Sequence, residues 1–173
     1  MKLMAIYIKI SKKDILSLER QFNFGKIISF KGIKKGIENT NYLIKTKKNK
    51  FILTIFGKRV EKKDMPFFIK LMEKLYLRKI NCPKPEKNKQ GKYLFKIKNK
   101  TAVIISFLEG KDKNKLTAKN CYDIGKNIAT LHKVTKKINL RRKNSLSVNS
   151  WPNILNKISN KCRIIDPNLK NFL

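Results

Sequence analysis

The sequence predicts an α+β protein: a small lobe containing a five-stranded antiparallel sheet and one inserted helix, followed by a helical region. Short β-rich runs separated by Gly and Lys/Asn turns recur as far as Leu108. Helical periodicity interrupts these runs once, and it becomes the main pattern beyond Gly110. We therefore expect a lobe over residues 1–106, a hinge or linker over 107–115 and an incomplete helical lobe over 116–173.

The first part of the predicted lobe is a short helix followed by three strands. Ser11 is a good N-cap for a helix over 14–22, in which Ile15, Leu18 and Phe22 share one face. Three short apolar runs follow, at 27–30, 42–44 and 51–56. Glycines and a Lys/Asn turn separate them, which predicts an antiparallel meander.

The second part of the lobe is a helix followed by two strands. The helix is expected from about 64 to 78, with Pro66 in its first turn, where proline is tolerated. Pro83 and Pro85 then predict an extended connection. Apolar runs at 93–97 and 101–108 complete the five strands.

Beyond the linker the sequence predicts helices. Thr117 is suited to cap a long helix that continues towards Lys137. A second helix is expected from Trp151, and residues 166–173 resemble the start of a third.

Charge is the most unusual property of the chain. It has 43 basic and 11 acidic residues, a net charge of +32, and such a field attracts nucleic acid or anionic lipid. The lysines are spread along the whole chain, and no arginine-rich tract, zinc-ligand spacing or recognition-helix pattern accompanies them. We expect only non-specific attraction of nucleic acid. The alternative, a non-enzymatic basic nucleic-acid-binding protein, stays open at this point.

The cysteines and the hydropathy pattern indicate a cytoplasmic protein. Cys82, Cys121 and Cys162 are odd in number and far apart, so we expect buried free thiols in a reducing compartment. The apolar run near the amino terminus is broken by Lys9 and lacks a small-residue cleavage site, unlike a signal peptide. Nowhere does an apolar run approach the roughly 20 residues that a membrane span needs, so we expect no membrane partner.

The connection between the first two predicted strands contains the chain's first functional signal. It carries Gly32 and Gly36, followed by the small polar side chains of Asn39, Thr40 and Asn41. Glycines allow close approach of the backbone, and successive backbone N–H groups in such a loop can bind a polyphosphate. An ordinary hairpin loop is the alternative interpretation.

Several motifs together resemble those of a known family. A five-stranded lobe with one helix after its third strand, then a hinge and helices, is typical of protein-kinase-like enzymes. The chain resembles the homoserine kinases of the aminoglycoside-phosphotransferase-like type. The matching pieces, spread along the chain in order, are Ser29-Phe-Lys-Gly-Ile33, Gly36-Ile-Glu-Asn-Thr-Asn-Tyr-Leu43, Phe51-Ile-Leu-Thr-Ile-Phe56, Lys58-Arg-Val60, Met65-Pro-Phe-Phe68, Leu71-Met-Glu73, Cys82-Pro-Lys-Pro85, Phe107-Leu-Glu-Gly110, Ile124-Gly125, Leu131-His132 and Asn144-Ser-Leu146 before Trp151.

The resemblance implies an ATP site built from two segments. One is the loop over the phosphates, with the residues Gly36, Glu38, Asn39, Thr40 and Asn41. The other is the hinge, where the backbone of Ser106, Phe107 and Leu108 would meet the edge of the adenine.

The third strand departs from the usual kinase pattern. Kinase-like folds place a phosphate-pairing Lys there, held by a helix Glu, whereas this chain has Thr54. The resemblance therefore gives the cationic role to Lys58 or Arg59, with Glu73 as a possible partner. The family usually has an acidic residue at the position of Gly57.

The implied reaction is transfer of a phosphoryl group from Mg²⁺-ATP to L-homoserine, giving O-phospho-L-homoserine in threonine biosynthesis. Enzymes of this kind use a catalytic loop resembling His-x-Asp-x-x-x-x-Asn and a later metal-binding Asp. Neither pattern occurs in this chain, so we assign it no catalytic residue and no metal ligand, and His132 is interpreted as structural. We read the chain as the amino-terminal portion of such a kinase, inactive alone. A choline or aminoglycoside kinase of the same superfamily is the alternative.

Overall fold

The structure, a computed structural model, describes residues 8–34, 38–57, 61–111, 113–144, 146–159 and 161–165. Its helices and strands are α1 (Lys12–Gln21), β1 (Ile27–Ile33), β2 (Thr40–Thr46), β3 (Lys50–Ile55), α2 (Met65–Leu77), β4 (Phe95–Ile97), β5 (Lys100–Ser106), α3 (Ala118–Thr135) and α4 (Trp151–Ile158). Short 3-10 helices cover Val148–Ser150 and Cys162–Ile164. The chain forms two compact units, Met1–Leu140 and Arg141–Leu173. The predicted lobe boundary at 107–115 falls inside the first unit and stays a prediction.

The five strands form one antiparallel sheet in the order β1-β2-β3-β5-β4. Strand β5 lies between β3 and β4, and Val103 of β5 is opposite Thr54 of β3. On the other side of β3, Thr54 lies opposite Asn41 of β2. The predicted fold class, a five-stranded antiparallel sheet with helices, is confirmed.

Helix α1 covers one face of the sheet and closes the main core. Its N-terminus is fixed by the predicted cap: Ser11 and Asp14 form a reciprocal capping box. Its apolar residues pack with alternate residues of the strands, and Leu18, Ile44 and Leu53 are at most 1% exposed. Burial of each such side chain contributes about 1.5–3 kcal/mol to the free energy of unfolding, so this layer dominates the stability of the sheet.

Helix α2 begins, as predicted, with a proline in its first turn, and it buries Met65, Ile69 and Leu75. The extended connection that follows adds an irregular strand beside β5. The Glu86 N–H donates to the Ile104 carbonyl at 2.9 Å, and Pro85 bridges to Ile105. This connection fixes the end of β5, from which the predicted hinge leaves the sheet.

Helix α3 is capped by Thr117, as predicted, through a capping box with Asn120. None of its residues is buried. In the second unit, α4 begins at Trp151, also as predicted. In the part of the chain that the structure describes, no helix combines the length and the apolar character needed to cross a membrane.

Some sequence expectations were wrong in detail. The strand expected over 101–108 ends at Ser106, because from Phe107 the backbone leaves the ladder, and the strand expected over 93–97 begins only at Phe95. All three cysteines are free, but only Cys162 is buried, and Cys82 is half-buried. Cys121 is exposed because it lies in α3, which buries no residue. His132 is exposed for the same reason. The helix expected at 166–173 lies outside the described residues.

Candidate functional site

Asn41 lies in β2 and Asn39 directly precedes it. Their side chains form hydrogen bonds with β3 and with the segment that follows β3. The Thr54 hydroxyl donates to Asn41 Oδ1 at 2.9 Å, between residues that lie directly opposite each other in the two strands. Just beyond β3, the Gly57 N–H donates to Asn39 Oδ1 at 3.1 Å. The predicted loop residues Asn39 and Asn41 therefore both lie beside the carboxyl-terminal end of β3.

Alternation along β2 separates these predicted site residues onto two faces. Thr40 is 2% exposed and lies on the face that contains the core, where its hydroxyl accepts a hydrogen bond from the Ile8 N–H at 3.3 Å. Asn41 is half-buried on the opposite face. The Thr40 side chain therefore supports the strand from the core side, and the opposite face of the sheet carries Asn41 and Thr54.

Gly57 has a packing reason for being glycine. A Cβ at this position would overlap the backbone carbonyl oxygen of Glu38 and lie 3.2 Å from the carbonyl carbon. The absence of a side chain thus lets the loop backbone approach the end of β3 closely. Glu38 itself is exposed.

The predicted hinge is held by its neighbours through backbone groups. The Ser106 N–H donates to the Lys84 carbonyl at 2.8 Å, and the Phe107 N–H donates to the Lys50 carbonyl at 3.1 Å. Among the described residues no hydrogen bond engages the Leu108 N–H. Of the three predicted hinge residues, Leu108 is therefore the one whose backbone donor is available to a ligand.

Side chains reinforce this arrangement. The Lys50 ammonium lies 2.6 Å from Glu109 Oε1 and 5.5 Å from the centre of the Phe107 ring. Both interactions join the first residue of β3 to the hinge. Since Lys50 and Glu109 are largely exposed, the ion pair fixes geometry more than it adds stability.

A cavity of about 590 Å³ adjoins the hinge, and Ser106 and Phe107 contribute to its walls. Phe22, Phe24 and Phe51 also line it, so it opens on the face of the sheet that α1 covers. It is therefore distinct from the opposite face, which carries Asn41 and Thr54.

Glu73, considered from the sequence as a partner for a cation near β3, is engaged elsewhere. The Tyr93 hydroxyl donates to Glu73 Oε1, and the Lys87 ammonium lies 3.6 Å from the same oxygen. Burial, followed by the hydrogen bond to Glu73, raises the pKa of Tyr93 above its usual 10.0. The pKa of Lys87 is raised as well, chiefly by its interaction with Tyr93 and then by Glu73. Glu73 thus joins α2 to the segment before β4.

Three of the predicted site residues, Gly36, Lys58 and Arg59, lie outside the described residues. Within the described ranges, no group of three or more His, Cys, Asp or Glu side chains is arranged to hold a metal ion. Sequence reasoning missed the role of Gly57 in packing, and it missed the difference between Thr40 and Asn41, which the period-two pattern of β2 would have revealed.

The chain matches a family profile and several curated relatives. The profile described as "Phosphotransferase enzyme family" covers residues 29–157. The chain belongs to this family. A homoserine kinase of Bradyrhizobium diazoefficiens is 36% identical over 170 residues, 98% of this chain and 52% of that protein. A homoserine kinase of Rhodopseudomonas palustris is 40% identical over 148 residues, 86% of this chain and 45% of that protein.

Solved structures show the same fold at low sequence identity. A spectinomycin phosphotransferase in complex with ADP and spectinomycin has a TM-score of 0.62 and 14% identity, over 89% of this chain and 47% of that one. An amicoumacin kinase in complex with AMP-PNP and Ca²⁺ has a TM-score of 0.60 and 16% identity, over 77% and 42%. The sequence-based family assignment is confirmed. The chain spans about half the length of the curated relatives it matches.

Proposed function

We propose that this chain is the nucleotide-binding part of a homoserine kinase, which transfers the γ-phosphoryl group of ATP to the hydroxyl of L-homoserine. The observation that carries the proposal is the 36% identity to a homoserine kinase across 98% of the chain. The product would be O-phospho-L-homoserine, and the enzyme would serve threonine biosynthesis in the cytoplasm.

The geometry supports two contacts with ATP. The backbone N–H of Leu108 would donate to the edge of the adenine, because the preceding two N–H groups are already used within the fold. The loop that joins β1 to β2 would lie over the phosphates, with Asn39 and Asn41 at its end. Backbone and amide donors suit both tasks, since adenine nitrogens and phosphate oxygens accept hydrogen bonds.

The described residues offer no cluster of ligands for the Mg²⁺ ion that would accompany ATP, and the sequence contains no catalytic-loop pattern. The proposal therefore gives this chain neither a metal ligand nor a catalytic base. Under this proposal the isolated chain binds ATP but does not turn over homoserine.

The acceptor can be tested by fusion to a relative. This chain would be joined to the carboxyl-terminal half of the Bradyrhizobium homoserine kinase, and ADP release would be measured with L-homoserine, choline and spectinomycin. We expect turnover with homoserine alone. Turnover with only another acceptor would contradict the homoserine assignment.

The hinge contact can be tested in the same fusion. Leu108→Pro removes the backbone donor, so we expect a raised KM for ATP, while Leu108→Ala keeps the donor and is the matched control. Equal KM values for the two variants would show that the Leu108 N–H does not bind adenine.

The net charge of +32 supports a second, weaker property. Diffuse lysines attract nucleic acid without sequence preference, and such binding falls steeply as salt rises. We expect binding of duplex DNA that disappears at about physiological salt. Tight binding that survives there would favour a dedicated nucleic-acid-binding protein.

A further inference from the structure

The cavity beside the hinge continues into a second cavity, of about 530 Å³, beside the end of α1. The two cavities share Phe22 and Asn23 in their walls. Together they form a trough whose lining residues lie between Glu19 and Glu109, all within the first compact unit. Cavities of this size each hold a small molecule, so the trough has room for more than one unit of a chain-like ligand.

Aromatic side chains line this trough. Phe22 and Phe24 stack with their ring centres 5.3 Å apart, and the Phe24 ring lies 5.2 Å from that of Phe51. Phe24 is only partly buried against the core. Tyr76 and Phe107 add two further rings to the walls, and Tyr76 is 45% exposed. Exposed rings of this kind can stack on a planar group of a ligand.

The charge of the trough is positive. Six lysines and three carboxylates line it, which leaves an excess of three positive charges. The lysines are Lys26, Lys48, Lys50, Lys84, Lys87 and Lys89, and the carboxylates are those of Glu19, Glu86 and Glu109. Lys50 and Lys84 are paired with carboxylates, whereas Lys26 and Lys48 form no ion pair with any residue that the structure describes. The trough therefore suits an anionic ligand that carries planar rings.

We infer that the trough binds single-stranded nucleic acid, with bases stacked on rings such as Tyr76 and phosphates on Lys26 and Lys48. A cationic groove that follows the backbone, combined with aromatic rings for the bases, is how proteins bind single strands without sequence preference. In a duplex the bases stack on one another, so the trough favours single strands. This site is local, unlike the diffuse attraction that the remaining lysines provide.

Charge in the trough can be tested against charge elsewhere. The double variant Lys26→Gln/Lys48→Gln removes two trough lysines. Lys96→Gln/Lys119→Gln removes two exposed lysines outside the trough and is the matched control. Binding of a fluorescein-labelled oligothymidylate to the full 173-residue chain is followed by anisotropy over a range of salt concentrations. Each lost phosphate contact lowers the slope of log K against log salt by about 0.7, so the slope should fall by about 1.4 in the trough variant and stay unchanged in the control.

Stacking is tested by a pair of tyrosines. Tyr76→Leu removes an exposed ring of the trough but keeps an apolar side chain, and we expect binding about fivefold weaker or more. Tyr122→Leu is the control, because Tyr122 lies in α3 outside the trough and is 70% exposed. This variant should bind as the wild type does. Circular dichroism melting confirms that each variant is folded.

Several results would overturn the inference. Equal losses in the two lysine variants, or in the two tyrosine variants, would show that the attraction is diffuse. Tighter binding of a duplex than of a single strand of the same length would exclude the trough as the site. The same holds if the folded wild type binds no oligothymidylate at low salt. None of these outcomes bears on the proposed ATP site.

Discussion

Gly57→Ala tests the close approach between the end of β3 and the preceding loop. The new methyl group would overlap the Glu38 carbonyl oxygen, so the loop backbone must move away from β3. Forced shifts of this kind cost about 1–3 kcal/mol. The same movement would break the hydrogen bond from the Gly57 N–H to Asn39, which is worth about 1 kcal/mol. We expect the free energy of unfolding to fall by about 2–4 kcal/mol in total.

Gly125→Ala is the matched control for this substitution. Gly125 lies within α3, and a Cβ there would have no neighbour within 4 Å. Alanine favours a helix over glycine by about 1 kcal/mol, so this variant should be as stable as the wild type or slightly more stable. Urea unfolding followed by circular dichroism measures both variants. Equal stability of Gly57→Ala and Gly125→Ala would refute the packing of Glu38 on Gly57.

Three further substitutions test the core, the first helix cap and the Glu73 contact. Leu53→Ala removes a side chain that is 0% exposed, and urea unfolding should show a loss of about 3 kcal/mol; a loss below about 1 kcal/mol would place Leu53 outside the core. Hydrogen bonds from Ser11, the backbone N–H first, hold the pKa of Asp14 below its usual 3.8, so its stabilising effect is present above pH 3.8 and is lost as the pH falls through the lower folded value. Asp14→Asn should therefore cost about 1 kcal/mol at pH 7 and nothing once Asp14 is protonated, and a constant difference across this range would contradict the cap. Burial and Glu73 raise the pKa of Tyr93, so the phenol stabilises the fold below pH 10.0 and this effect is lost as the pH rises through the higher folded value. Tyr93→Phe should lower the free energy of unfolding by about 1 kcal/mol at pH 7. The pKa of Tyr93, followed by ultraviolet absorbance, should lie above 10.0, and an unshifted pKa would show that the contact with Glu73 does not form.

Local signals predicted the elements of the fold well. The caps at Ser11 and Thr117 and the proline at the start of α2 are each set by neighbours within one helical turn. The pairing of β5 with β3 joins residues about fifty positions apart. Such pairing depends on packing of the whole sheet, and no local pattern in the sequence indicated the order of the strands.

The site shows the same division. A connection between the first two strands was predicted from glycines and small polar residues, but Gly32 lies within β1, and the contact of this connection with phosphates stays a prediction. The fit of Glu38 against Gly57 was not predicted, because nothing near Gly57 in sequence marks a close approach from a residue nineteen positions earlier. The partner of Glu73 was also missed, since Tyr93 lies twenty residues further along the chain and tyrosine is a common core residue.

The exposure of α3 has a direct physical consequence. Ile124 and Ile128 are each 48% exposed, and their helix carries no buried residue. Exposed apolar side chains of this size favour association, so we expect the isolated chain to have limited solubility.

Mapping of ATP onto the labelled chain by nuclear magnetic resonance tests the central claim most directly. The account predicts that ATP shifts the backbone N–H signal of Leu108 and the side-chain NH₂ signals of Asn39 and Asn41, and that adenosine shifts only Leu108. Shifts confined to the cavity lined by Phe24 and Phe107, or no shifts in a folded chain, would contradict the nucleotide site.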